Sequence, residues 1–353
     1  MSQPPGPIAG PAAWRGEDLR GSDAWIHTFS ASELSELHRA LARVHADSLT
    51  LPEIGRDDFP LPTLGPRLQA LRHELLHGRG FALLRGLPLE RYALEDAAAI
   101  YWGIGAWFGR PRSQNARGHL LGHVRDVGYD VGDPNVRTYQ TTKRQYYHTD
   151  SVDIVALLCV RKAKSGGLSS LVSSVTAYNE LLLHRPDVLP TLFEPFHVDR
   201  RGEVPPGMDP WFAVPIFNWY AGFLTTIYVR RYIESAQRFA EVPRLTARQI
   251  EALDALDAVL EDPRVHLQMA FEPGDIQLVH NHQILHDRTE FEDWPEPSRK
   301  RHLLRLWLCP PDGRPLPPAF AARYGSITIG DRGGIVVDGM TPHVSLDVTP
   351  TRA

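Results

Sequence analysis

A chain of 353 residues, 42% hydrophobic and 23% charged, is long enough for one large domain or two smaller ones around a sizeable core. Its formal net charge is −4 with acids and bases interspersed, which argues against nucleic acid or an anionic membrane surface as a partner. The first eleven residues are rich in Pro and Gly and lack the basic and apolar segments of a signal peptide, and no apolar run is long enough to span a membrane. The two cysteines, Cys159 and Cys309, sit in apolar strand-like runs, as expected of reduced core thiols in a cytoplasmic protein.

In chain order, residues 1–24 read as a mobile N-terminal arm. Residues 32–44 are predicted helical, with Leu34, Leu37, Leu41 and Val44 on one face and serine near the start. Pro52 to Pro66 interrupts regular structure, and a helix follows over 68–77, ended by Gly78 and Gly80. A short buried strand at 81–84 precedes a helix at 94–108 that is apolar on most sides. From 137 the pattern changes to short strands divided by Gly/Pro turns: 137–141, 152–160, 169–172, 193–198, 223–229, 265–271, 275–279 and 303–308. Helices at 175–183 and 246–260 interrupt them, the second between a Thr cap and Asp262-Pro263. Such regular short strands favour a barrel or jelly roll. The expected architecture is α+β, mainly β: a single domain over 25–310 with an aromatic insert near 201–220 and a C-terminal extension, 311–353. The extension carries Gly334-Ile335-Val336-Val337, which reads either as an extra strand or as a contact in a homo-oligomer.

The chemistry centres on Gln145-Tyr146-Tyr147-His148-Thr149-Asp150 and the apolar run behind it. On an extended strand, residues i and i+2 share a face, so His148 and Asp150 converge. His286, in Asn281-His282-Gln283-Ile284-Leu285-His286-Asp287-Arg288, supplies a third ligand. Two imidazoles and one carboxylate on one face leave the other side of a metal open, as non-haem Fe(II) oxygenases require. Two other His-x-Asp pairs read differently. His45 and Asp47 lie in a helical pattern and point apart, and His197-Val198-Asp199 runs into Arg200-Arg201-Gly202 rather than a buried strand.

The surroundings extend the reading. Ser165-Gly166-Gly167-Leu168-Ser169, Ala177-Tyr178-Asn179-Glu180-Leu181, Pro273-Gly274-Asp275-Ile276, Arg301-His302-Leu303-Leu304-Arg305-Leu306-Trp307, Gly80 to Leu87 and Ser113-Gln114-Asn115 follow in an order that resembles the taurine dioxygenase and 2,4-dichlorophenoxyacetate dioxygenase superfamily, with clavaminate synthase as a relative. The resemblance spans roughly residues 60–310. It implies a double-stranded β-helix (jelly-roll) core with flanking helices, and a dioxygenase that uses Fe(II), 2-oxoglutarate and O2 to oxidise a small organic substrate, releasing succinate and CO2. It further implies that His148, Asp150 and His286 hold the iron. Arg301 would bind the distal carboxylate of 2-oxoglutarate, Arg305 would assist or meet an anionic group of the substrate, and the Ser169 hydroxyl would reach the same carboxylate. The family's halogenases have a small residue where Asp150 stands, so hydroxylation is expected rather than halogenation. Tyr146, Tyr147, Asn115, Trp211, Phe217 and Trp219 are candidates for the substrate wall.

Two rival readings compete. A cupin-type metal protein on a similar core would not need Arg301. A zinc hydrolase is suggested by His73-Glu74-Leu75-Leu76-His77, yet the extended form of that motif needs a histidine where Leu83 stands. Leu68, Leu71 and Leu75 mark the buried face of that helix, which turns His73 and His77 to solvent.

Overall fold

The computed structural model describes residues 6–130 and 136–347. Two antiparallel-dominated sheets face each other and helices cover their outer sides. The larger sheet has the order Ile26–Thr28, Phe81–Arg85, Ile276–His280, Ile154–Arg161, His302–Cys309 and Arg110–Pro111, with Leu121–Val124 also pairing with His302–Cys309. The smaller sheet has the order Leu267–Met269, Ser169–Ser173, Ile284–Arg288 and Gln145–His148. Strand alternation divides the apolar residues between three layers. Phe81, Leu83, Val155, Cys159 and Trp307 of the larger sheet meet Leu171, Leu267, Met269 and Ile284 of the smaller one. The opposite face of the larger sheet, with Ala156, Leu158, Leu278, Leu304 and Leu306, packs on the helices Ala31–Ala46, Leu64–His77 and Leu94–Gly105. The outer face of the smaller sheet, with Val172 and Leu285, packs on Ser174–His184 and Ala247–Leu260. Being covered on both faces is why the central strand His302–Cys309 is buried at every position. Each such Leu or Val contributes about 1.5–3 kcal/mol.

Local signals explain the helix boundaries. Ser30 caps the first long helix, accepting from the Glu33 amide while Glu33 bonds back to Ser30. Thr246 does the same with Gln249 for Ala247–Leu260.

Three expectations change. Residues 6–24 do not form a free arm: Trp14 is buried beside Phe81, its indole donates to the Arg79 carbonyl at 2.9 Å, and the Gly16 amide donates to Val265 at 2.9 Å. A Cβ at Gly16 would lie 1.8 Å from the His266 carbonyl oxygen, so only glycine permits this approach. Residues 1–5 of the expected arm fall outside the described residues. The segment expected to be a strand at 137–141 is a 3-10 turn, Thr138–Gln140, closed by the Thr141 hydroxyl on the Thr138 carbonyl. The C-terminal extension after 310 crosses back over the loop that follows Asp150. Residues 334–337 form no strand there, and the Gly334 and Ile335 amides bond Ser151 and Ser113. Residues 348–353 of that region lie outside the described residues.

Arg332 ties this return together. It is 1% exposed, donates through Nε to Asp153 at 3.0 Å, and also reaches the Arg314 carbonyl. Burial pushes the Asp153 carboxyl up, but His282 and Arg332 outweigh it and hold the group well below the usual range. Arg332→Ala strands a buried carboxylate and should cost about 3–5 kcal/mol in urea unfolding. The Arg332→Ala/Asp153→Ala pair should lose clearly less than the sum of the single losses, and additive losses would contradict the coupling.

No helix among the described residues is long and apolar enough to cross a membrane.

Candidate active site

The strand Gln145–His148 ends at His148, which stands directly opposite His286 on Ile284–Arg288. Cross-strand neighbours of this kind bring side chains together without reaching, and the two imidazole rings lie 4.2 Å apart, centroid to centroid. Asp150 lies past the strand end, so the pleat does not aim it. Asn281 does: its Oδ1 accepts from the Asp150 amide at 2.7 Å, and its Nδ2 donates to the carbonyls of Asp150 (2.6 Å) and Val152 (2.9 Å). The carboxylate oxygens of Asp150 then stand 3.8 Å from His148 Nε2 and 3.9 Å from His286 Nε2. One donor atom from each of the three residues falls within 4.8 Å of the others, and among the described residues they form the sole cluster with metal-binding spacing.

The chemical state of the three suits a divalent cation. Burial pushes the His286 imidazole down to about 3 and also lowers His148, so both are neutral at pH 7 with lone pairs available. The His148 Nδ1 donates to the Tyr146 carbonyl at 2.8 Å, which fixes the tautomer and makes Nε2 the lone-pair atom on the cluster side, where the Gln145 side-chain amide meets it at 2.8 Å and would have to yield to a metal. Burial alone would raise the Asp150 carboxyl, yet Arg305 and the two histidines hold it below its ordinary value. Trp307 Nε1 donates to its Oδ2 at 3.0 Å and Arg305 Nη1 at 3.3 Å.

These shifts carry a pH signature. His286 and His302 titrate near 3 when folded, both lowered first by burial, whereas their unfolded values are 6.5. The unfolded chain therefore binds more protons between those limits, and stability falls as pH drops below about 6.5. Asp287, raised to about 6 by burial, and Asp257, also raised by burial, work in the opposite sense, but they are outnumbered by His148, His280, His282, His286 and His302. The metal-free protein should melt at a lower temperature at pH 5.5 than at pH 7; a higher midpoint at pH 5.5 would refute the assignment.

Two connected spaces adjoin the cluster. A small recess of about 40 Å³ is lined by His148, Asp150, Ser169, His286, Arg301 and Arg305, among others. A larger cavity of about 1070 Å³ shares His148, Asp150 and Arg305 and opens between the smaller sheet, the 196–233 region and the returning C-terminal segment. Arg301 is 4% exposed, its Nη1 makes no hydrogen bond, and no carboxylate pairs with it among the described residues. Burial pushes its guanidinium down to about 10. Ser169 also faces the recess, its hydroxyl within 2.9 Å of Gln277 Nε2. Arg305, by contrast, is engaged with Asp150 and with Gln114 Oε1 at 2.7 Å.

The expected wall residues divide. Tyr146 borders the larger cavity but is 65% exposed, with Arg144 4.7 Å above its ring. Tyr147 borders it from within the core, its hydroxyl bonded to Ser170 at 2.6 Å. Asn115, Trp211, Phe217 and Trp219 line neither space. Asn115 turns to His119 and to the amides of its own turn. Trp219 lies half-buried on the Phe217–Tyr220 hairpin strand, and Phe217 packs among core aromatics. Strand alternation turns Trp211 outward against His197 and its neighbour Phe212 inward to the cavity. Residues that sequence reasoning left without a role are Asn281, Trp307, Gln114, Gln277 and Phe212. Asn281, Trp307 and Gln114 stand inside the motifs at 281–288, 301–307 and 113–115, and for the first two the spacing to His286 and Arg305 is the available signal. The rival pair His73 and His77 is exposed on the helix Leu64–His77, opposite buried Leu68, Leu71 and Leu75, and among the described residues no carboxylate or histidine completes a metal site there.

Comparison with known proteins decides the family. The taurine catabolism dioxygenase TauD, TfdA family profile matches residues 46–307. The chain belongs to this family. As a TauD/TfdA member it is a 2-oxoglutarate-dependent non-haem iron dioxygenase that uses Fe(II), 2-oxoglutarate and O2 to oxidise a small organic substrate. It is 30% identical to FR-33289 synthase of Streptomyces rubellomurinus (strain ATCC 31215), over 90% of this chain and 95% of the relative. It is 32% identical to the taurine hydroxylase-like protein SAT17 of Stachybotrys chartarum (strain CBS 109288 / IBT 7711), over 85% of this chain and 81% of the relative. In three dimensions it resembles asparagine oxygenase, solved with Fe(II), 2S,3S-3-hydroxyasparagine and succinate, at a TM-score of 0.64 and 18% identity over 80% of this chain and 93% of that one. That likeness carries the α+β fold. The cupin and zinc-hydrolase readings give way to the family match.

Proposed function

We propose that His148, Asp150 and His286 hold the Fe(II) of this dioxygenase, that Arg301 and Ser169 hold 2-oxoglutarate, and that the enzyme hydroxylates a small molecule bound in the larger cavity. One observation carries the allocation: Arg301 is a buried guanidinium with an unbonded Nη1 and no ion pair among the described residues, in the same recess as the three-ligand cluster. An unpaired buried cation costs stability, and a dicarboxylate reaching the metal would neutralise it bidentately. Bound at the cluster, Fe(II) with 2-oxoglutarate and O2 supplies oxidative decarboxylation to succinate and CO2 coupled to oxidation of the substrate. The chain's own residues do the rest. His148 and His286 offer neutral lone pairs. Asp150 is kept ionised and oriented by Arg305, Trp307 and Asn281. Ser169 offers a hydroxyl to the carboxylate that Arg301 grips. The apolar walls of the cavity, Phe212, Val214 and Ile216, keep water from the reacting centre. The two facing sheets support a jelly-roll core, since each central set of four strands alternates early and late segments of the chain. The buried, unpaired Cys159 and Cys309 support a cytoplasmic setting.

The test is succinate formation from 2-oxoglutarate by the Fe(II)-loaded protein, with and without candidate substrates. Product mass in excess chloride decides the outcome of the reaction. Asp150 fills the position that a halide would need, so oxygen rather than chlorine should be incorporated. A chlorinated product from the unmodified enzyme overturns that part.

A further inference from the structure

The larger cavity is lined by two guanidinium groups, Arg200 and Arg323, that make no ion pair among the described residues. Acidic residues that line it are committed, among them Asp150 to Arg305 (3.3 Å), Glu203 to Arg137 (2.6 Å), Asp199 to Arg238 (3.1 Å) and Asp257 to Arg230 (3.2 Å). Arg323 is not paired. It comes from the C-terminal segment, on the short helix Ala321–Tyr324, and its Nε donates to the Ser151 hydroxyl at 2.8 Å, beside the metal-ligand candidate Asp150. No carboxylate lies within ion-pair distance of it among the described residues; Glu203 is near enough to favour its charge but stays with Arg137. Arg200 stands on the other side of the same wall. It is 3% exposed, donates to the Asp209 and Ala322 carbonyls, and leaves Nη1 buried without a partner. The two guanidiniums share one ring, Phe212, at 5.0 Å for Arg200 and 5.6 Å for Arg323. Burial and then the charge of Arg323 push Arg200 down to about 10, against the smaller opposing effect of Asp209.

Two cations without ion pairs on one ring repel each other, and each is costly to bury. Planar guanidinium forks match multi-oxygen anions in both charge and shape. From this we infer that Arg323, backed by Arg200, binds an oxyanion group of the prime substrate, a carboxylate, sulfonate or phosphate-type head. This inference rests on the iron and 2-oxoglutarate reading above and names the substrate class for it. It also moves charge recognition away from Arg305, whose guanidinium is already met by Asp150 and Gln114. The substrate would then be held at its anionic end by the returning C-terminal segment, with its remaining atoms along Phe212 and Val214 toward the metal cluster.

The experiment uses the anaerobic holoenzyme, saturated with Fe(II) and 2-oxoglutarate, and follows its charge-transfer absorption. Butanoate, butane-1-sulfonate and butyl phosphate are titrated against the uncharged butanamide and 1-butanol. At least one anionic probe should shift the band with half-saturation about tenfold or more below that of butanamide, as expected for a charge-assisted pair. The ranking among the three identifies the oxyanion. Arg323→Gln should erase the preference and Arg323→Lys should keep part of it. Absence of any preference in the wild type overturns the inference. So does a preference that survives Arg323→Gln, or one lost in Arg305→Gln instead. Loss of the band, rather than a shift, means that the probe displaces 2-oxoglutarate and also counts against it. If the wild type forms no charge-transfer complex before any probe is added, the cofactor reading itself fails and the inference falls with it.

Discussion

His286→Ala should lower the affinity for Fe(II) by more than about 100-fold in anaerobic titration. Outer-sphere partners of a metal typically govern 10–100-fold in affinity, and His286 is expected to contribute a donor atom directly. The cluster has three protein donors, His148, Asp150 and His286, so removing one leaves a pair that cannot define a face of the metal. Asn281→Ala offers a graded comparison. Asn281 is fully buried and orients Asp150 through three hydrogen bonds, so its loss should fall within the outer-sphere range. His73→Ala should change nothing, since its side chain is exposed on the far face of its helix. Unchanged affinity in His286→Ala, together with wild-type binding in His148→Ala, would remove the basis of the assignment.

Arg301→Gln should raise the 2-oxoglutarate concentration needed for half-saturation by roughly thirtyfold or more, equivalent to about 2–5 kcal/mol for truncating one partner of a desolvated charge pair. Arg301→Lys should recover only part, because an ammonium cannot reproduce the fork. The same variant makes an opposite prediction for the ligand-free protein. Burial already disfavours the Arg301 cation, which makes no ion pair among the described residues and is only partly offset by the charge of Asp293. Removing it should therefore leave the melting temperature unchanged or raise it, and added 2-oxoglutarate should stabilise the wild type but not the variant. A purely structural arginine would show the reverse: lower melting temperature and unaltered cosubstrate affinity. If Arg305→Ala carries the whole 2-oxoglutarate defect while Arg301→Gln is near wild type, the roles of the two are exchanged.

Much of the molecule was legible before any coordinates. The apolar periodicity of the helices at 31–46, 64–77 and 247–260 and the short apolar strands reported the layers, because burial on one stripe or on both faces of a sheet leaves its mark on local composition. The triad residues were legible by type and order: His148 and Asp150 stand beside a buried strand, and His286 follows another. So was the bland character of His73 and His77, since a helical wheel places them opposite Leu68, Leu71 and Leu75.

Other features depended on contacts between segments far apart in sequence. Strand register sets His148 opposite His286, and no local pattern specifies register across the 137 positions between them. Asp150 is aimed by Asn281, 131 residues away, and not by the pleat that its spacing from His148 suggested. Trp211 and Phe212 are equally aromatic; only the pairing of Trp211–Pro215 with Pro195–Asp199 decides which of them faces the cavity. The contribution of residues 311–347 was the least legible, because Arg323 and Arg332 look like ordinary surface arginines until the chain folds back over Ser151 and Asp153. The sequence by itself thus determined the chemistry available, two imidazoles, a carboxylate and a supply of arginines, together with the layers that bury them. Tertiary structure decided which charges meet a partner and which stay uncompensated. Pairing depends on distances of a few ångströms between remote segments, and a linear pattern carries no information about those.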